Sequence, residues 1–123
     1  MRCPCLSGDT FDNCCGPLLD GGAAPTAERL MRSRFTAFAR GDAAHLLRTW
    51  HPSTRPVDLD LDDGIRWTRL DVLETSQGGP FDRDGVVVFE AFFRDAGGAG
   101  SMRERSRFVR EGREWLYVDG VSG

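Results

Sequence analysis

The sequence predicts an α+β protein in which two helices precede a curved antiparallel sheet, with a cysteine-clamped knuckle at the N-terminus. Three observations carry this reading. Apolar residues recur at helical spacing between Thr26 and Trp50, extended segments dominate from residue 65 onward, and all four cysteines fall within the first fifteen residues. A length of 123 residues with 40% hydrophobic side chains suits a single core.

The knuckle comes first. Cys3, Cys5, Cys14 and Cys15 sit at the two ends of "LSGDTFDN". In a reducing compartment such a cluster reads as a metal site before it reads as a disulfide framework. A Cys14–Cys15 disulfide would be strained, because neighbouring Cα atoms lie ~3.8 Å apart and a disulfide wants at least ~4.4 Å. Cross-pairing between the two ends stays geometrically open. Four thiolates would give Zn2+ a closed tetrahedral shell, which is structural and not catalytic. Residues 1–24 offer only Met1, Leu6, Phe11, Leu18 and Leu19 as sizeable apolar anchors, too few to offset the ordering entropy without metal.

"GPLLDGGAAP" reads as a connection. A helix then starts with Thr26 as N-cap, runs through Ala27, Leu30, Met31, Phe35 and Phe38, and stops at Gly41. Arg34 falls near the middle of its apolar face. Asp42 caps a second helix that buries Ala43, Leu46, Leu47 and Trp50 and ends before Pro52, with His45 on the polar side. After the polar loop "STRPVDLDLDDG", strands are predicted over 65–75, 86–94, 102–110 and 113–119, with "DAGGAGS" as a flexible hairpin connection. "EG" as a two-residue turn would pair Arg110 with Arg113. It follows that Phe108 lies opposite Trp115, Ser106 opposite Tyr117 and Glu104 opposite Asp119, all on one face, with Arg105, Arg107, Leu116 and Val118 on the other.

The N-terminal string C-P-C-x-S-G-x-x-aromatic-x-x-C-C, with Ser7, Gly8 and Phe11 in place, resembles the SEC-C motif, a small zinc-binding module known from the tail of the SecA translocation ATPase. Leu6 stands where that motif usually has glycine. "AERLMRSRFTAF", "TWHPSTRP", "ERSRFVREG" and "WLYVDG" look like the YchJ-like family of bacterial proteins, and the likeness spans nearly the whole chain. That resemblance implies a SEC-C zinc module over 1–24 and, over 25–123, the cone-shaped fold of the nuclear-transport-factor-2-like (NTF2-like) superfamily, in which a bent sheet wraps the helices around a pocket. The SEC-C likeness further implies a protein or ribosomal partner, since in SecA the module is associated with the SecB chaperone and the ribosome.

Arg34 on an apolar face calls for a carboxylate, and Glu90, Glu104 and Asp119 are the candidates in otherwise apolar strands. It is either half of a buried ion pair or a pocket arginine for an anionic or carbonyl-bearing ligand. His51 is a candidate general base by residue type, or else a helix-end cation bonded to the following loop. Arg55 shares that loop. Trp50, Ser106, Trp115 and Tyr117 complete the candidate pocket, and Glu104 beside Asp119 would repel unless protonated or bridged by a cation.

Two function classes follow: a noncatalytic binding or scaffold protein with a small ligand in the cone, and a dehydratase- or isomerase-like enzyme using Glu104, Asp119, Tyr117 and His51. No nucleophile triad or phosphate-binding glycine loop is found, which leaves enzyme status open. A net charge of −3 gives no overall pull toward nucleic acid or anionic lipid, although all sixteen basic residues are arginine. The longest strongly apolar run, Val86–Phe89, is far short of the ~20 residues of a membrane span, and no signal-peptide pattern opens the chain. A cytoplasmic monomer or homodimer is expected.

Overall fold

Helices come first and strands after: α1 (Cys15–Leu19), α2 (Ala27–Arg40), α3 (Ala43–Arg48), β1 (Arg66–Gln77), β2 (Asp84–Asp95), β3 (Gly98–Glu111) and β4 (Glu114–Ser122). The computed structural model describes residues 2–61 and 64–122. Met1 among the apolar anchors, residues 62–63 of the polar loop and the last residue of the 25–123 unit lie outside the described residues. Among those described, no helix is long and apolar enough to cross a membrane.

α2 is the central element. The Thr26 side chain accepts the Arg29 N–H at 3.1 Å, and Gly41 ends the helix at φ 75°, the left-handed geometry that glycine adopts without cost. Leu30, Met31 and Phe35 meet Leu70, Val87, Phe89, Ala91, Phe108 and Trp115 of the sheet in one core. At the helix start the Ala27 N–H donates to the Gly78 carbonyl at 2.9 Å. An added Cβ at Gly85 would fall 2.5 Å from the Gly78 Cα, so this close crossing of the β1–β2 hairpin and α2 needs glycine.

The Gly16–Pro25 stretch read as a bare connection contains most of α1, which packs on α2. α3 is capped by Asp42, whose Oδ1 accepts the His45 N–H at 3.0 Å, but it ends at Arg48, earlier than Pro52 requires. Strand pairing claims the chain first. The Tyr117 N–H donates to Thr49 O and the His51 N–H to Tyr117 O, each at 2.8 Å, which lays Trp50 against Tyr117.

His45, expected to be exposed, is 1% exposed. The short α3 lies across α2, and its imidazole bridges the two: Nε2 is 2.9 Å from Ser33 Oγ, while Arg48 Nη2 donates to Nδ1 at 2.9 Å. Because Nδ1 accepts, Nε2 carries the proton and donates to Ser33, whose hydroxyl passes to Leu30 O.

The sheet is an antiparallel meander in the order β1-β2-β3-β4. Gly85, Val87, Phe89 and Ala91 of β2 face the helices, and Glu90 faces away. In the β2–β3 hairpin Asp95 pairs with Gly98, so most of "GGAGS" belongs to β3 rather than to a loose connection. The β3–β4 turn is one residue later than the sequence suggested. Gly112, at φ 64°, takes the first loop position, Glu111 pairs with Glu114, and Phe108 lies opposite Tyr117. A register shift then inserts Val118, so that Asp119 pairs with Arg107, Ser106 with Gly120 and Glu104 with Ser122. Asp119 is thereby turned to the outer face, where Arg107 holds it with two hydrogen bonds of 2.7 Å, and the expected Glu104–Asp119 pair does not form.

Burial first, and then the Arg48 charge, press the His45 pKa from 6.5 down to about 4. The neutral ring therefore contributes stability that is complete above about pH 6.5 and is lost as pH falls toward 4, where the unfolded chain takes up a proton the folded chain resists. His45→Gln should flatten the dependence of unfolding free energy on pH across that interval in urea melts. An unchanged slope would contradict this assignment.

Candidate metal centre and ligand cavity

The N-terminal knuckle is a small hairpin. Arg2 bridges Thr10, the Cys3 N–H donates to Asp9 O at 3.0 Å and the Leu6 N–H to Cys3 O at 3.0 Å. A 3₁₀ turn over Phe11–Asn13 then delivers Cys14 and the start of α1. The ligand atoms of Cys3, Cys5, Cys14 and Cys15 all lie within 4.8 Å of one another, and each residue is at most 2% exposed. Cys5 Sγ is 3.6 Å from Cys14 Sγ, and Cys14 Sγ is 3.9 Å from Cys15 Sγ. A tetrahedral ion with metal–sulfur bonds of ~2.3 Å sets sulfurs ~3.8 Å apart, so the donor set fits such an ion. No disulfide joins them.

α2 supports this centre from behind. The Thr36 hydroxyl donates to Cys15 Sγ at 3.3 Å and lies 3.7 Å from Cys3 Sγ. Arg32 Nη1 donates to Cys5 O at 3.0 Å, and Arg40 stacks on Phe11 at 4.4 Å. Ser7 Oγ is 3.1 Å from Cys14 Sγ. Thr36 was not foreseen, since a threonine two positions from Arg34 carries no pattern of its own.

The thiols cannot all ionise unaided. Hydrogen bonding from Cys15, and then from Ser7 and Cys3, draws the Cys5 thiol down. Hydrogen bonding to Cys5, and then burial, pushes Cys15 up, and burial followed by the Cys5 interaction does the same to Cys14. A cation is what would let four thiolates share this volume.

On the other side of α2, a cavity of about 160 Å³ lies between the helix and the sheet. Met31, Phe35, Phe38, Trp50, Trp67, Phe89, Ala91 and Met102 form its apolar wall, and Arg34, Glu104 and Tyr117 bring its polar atoms. Of the wall residues, the sequence had offered Met31, Phe35 and Phe38 only as core positions.

Arg34 is 3% exposed, yet no carboxylate pairs with it among the described residues. Its Nη1 donates to Leu46 O and Thr49 Oγ1, both at 2.8 Å, and its guanidinium carbon lies 4.4 Å from the Tyr117 ring centroid and 5.0 Å from that of Trp50. Burial lowers its pKa to about 10, so it stays charged at neutral pH. Glu104 Oε2 accepts from Ser106 Oγ and, at 3.3 Å, from the Tyr117 hydroxyl. Burial and then the Glu104 charge push Tyr117 up to about 12. The Trp50 indole N–H is buried without a partner among the described residues.

The remaining candidates lie outside the cavity. Glu90 alternates to the outer face and meets Ser101 and Arg103. His51 joins Ser53 and Glu111, each at 2.7 Å, and Arg55 donates to Trp50 O, so both serve the loop. Ser106 stands behind Glu104, Trp115 fills the core, and Asp119 belongs to the outer ion pair.

The family described as "YchJ, middle NTF2-like domain" matches residues 26–120, and the SEC-C motif matches residues 2–17. A UPF0225 protein of Streptomyces coelicolor is 53% identical over 119 residues, covering 96% of this chain and 93% of the relative. A UPF0225 protein of Corynebacterium glutamicum is 51% identical over 120 residues, covering 97% and 95%. Among solved structures, the SEC-C motif protein RPA3114 from Rhodopseudomonas palustris superposes with a TM-score of 0.88 at 36% identity, covering 100% of this chain and 99% of that one. A SEC-C motif protein from Psychrobacter arcticus gives 0.78 at 25% identity, covering 98% and 82%.

Removing the Thr36 hydroxyl in Thr36→Val should lower metal affinity by roughly tenfold or more, as loss of a partner behind a metal ligand does. Competition with a chromophoric chelator measures it, and unaltered affinity would refute the support role. Leu6 sits at φ 60°, a left-handed backbone for a branched residue, with its side chain 52% exposed. Leu6→Gly should therefore raise stability by about 1 kcal/mol, and a lowered thermal midpoint would count against strain at this turn.

Proposed function

The chain belongs to the YchJ-like family, a SEC-C motif joined to an NTF2-like domain, and on that premise we propose a noncatalytic binding protein: a structural zinc centre locks the knuckle to α2, and the cone holds a small ligand. The observation that carries it is the closed, buried set of four thiols within 4.8 Å. Four soft donors favour Zn2+ among common divalent ions, and with all four positions filled by protein no site is left for substrate. Zinc here performs no chemistry and holds the fold. The outward side of the knuckle around Leu6 is the surface offered to a protein or ribosomal partner, by likeness to other SEC-C modules.

The enzyme reading is weaker. Its four actors would need to meet, but His51 and Asp119 bond to Glu111 and Arg107 away from the cavity. Of the two that remain, Tyr117 is a poor proton donor at neutral pH with its pKa pushed up to about 12.

Elemental analysis of freshly purified full-length protein should give one zinc per chain. Stripping it should collapse the dispersion of amide signals from the knuckle while the β2 and β3 amides persist, because the sheet carries its own core. Far less than one ion per molecule, or N-terminal amide spectra indifferent to complete chelation, would overturn the proposal.

A further inference from the structure

The cavity's polar side chains include one cation and one carboxylate. Arg34 brings a cation whose Nη1 is committed to Leu46 O and Thr49 Oγ1, while no hydrogen bond from its Nε or Nη2 is made to a described residue. Glu104 brings a carboxylate whose Oε2 is taken by Ser106 and Tyr117, while Oε1 receives no donor from the described residues. Gly120 leaves the room for that carboxylate, since a Cβ there would collide with it. The Trp50 ring borders the same space, its N–H buried with no acceptor among the described residues. These groups share one chamber with Phe35, Phe38, Trp67 and Phe89.

Charge decides the guest. A monoanion would gain Arg34 and meet repulsion from Glu104, and a monocation the reverse. An uncharged molecule with a carbonyl beside an N–H satisfies both ends at once. Size and shape agree, because an apolar cavity of ~150 Å³ accepts a benzene-sized molecule, and aromatic walls favour a flat ring.

Resting on the reading of the cone as a ligand-binding domain, we propose that this cavity selects a flat, uncharged, single-ring amide or lactam, its carbonyl toward Arg34 and its own N–H toward Glu104. Selectivity then comes from paired polar groups that no purely apolar or singly charged ring can satisfy.

The test uses the full-length zinc-loaded protein titrated with benzamide, benzoate, benzylamine and toluene, followed by the indole N–H signal of Trp50. Benzamide should bind at least tenfold more tightly than the other three and shift that signal. Glu104→Gln should narrow the gap between benzamide and benzoate by tenfold. Should Glu104→Gln misfold, the ranking on the wild-type protein decides alone. Benzoate or benzylamine ahead of benzamide, or toluene equal to it, overturns the ligand class and leaves the cone a binding domain. No binding of any of the four at millimolar concentration overturns the ligand class and the binding role of the cone together.

Discussion

Four sulfurs held within 4.8 Å cannot all carry charge without a cation, and the N-terminal third of the molecule is built around that constraint. The knuckle has little apolar surface of its own. It gains order by pressing its cysteines against α2, so that the thiols join the same buried cluster as Leu30, Phe35 and Trp115. Thr36, Arg32 and Arg29 of α2 bond a thiol or a knuckle carbonyl, an arrangement that makes the thiol cluster part of the helix packing.

α2 therefore serves two sites with different sides. Thr36 addresses the thiols while Met31, Arg34, Phe35 and Phe38 address the cavity. Fourteen residues suffice because the helix is fixed at both ends, by the Thr26 cap and the Gly78 carbonyl at one and by the left-handed Gly41 at the other. The backbone of Thr49 and His51 pairs with Tyr117 of β4 and so brings Trp50 to the cavity. That pairing places Trp50 and Tyr117 rings 5.2 Å apart at near right angles, where Arg34 contacts both.

Much of this was legible from residue order. The cysteine spacing, the caps at Thr26, Gly41 and Asp42, the order of helices and strands, and the misfit of Arg34 all rest on local rules that act within a few residues. What escaped depends on contacts between distant segments. His45 is polar by helical position, yet α3 crosses α2 at Ser33 and buries it. One extra residue, Val118, turns Asp119 from the presumed pocket to the outer face, and no periodicity announces a bulge. Glu90 and Glu104 look alike in sequence, and only the register of β2 against β3 puts them on opposite faces.

Arg34 shows why the distinction matters chemically. A paired carboxylate would have neutralised it and left a structural ion pair with no polar function to spare. The π faces of Trp50 and Tyr117 stabilise the cation by an amount on the order of 2 kcal/mol when desolvated, without cancelling its charge. The backbone carbonyl of Leu46 and the hydroxyl of Thr49 add hydrogen bonds and likewise leave the charge in place. Glu104, one of the three carboxylates the sequence offered it, is instead held by two hydroxyls. Opposite charges thus stand apart in one apolar chamber, and separated charges in a low-dielectric space favour a dipolar guest that spans them.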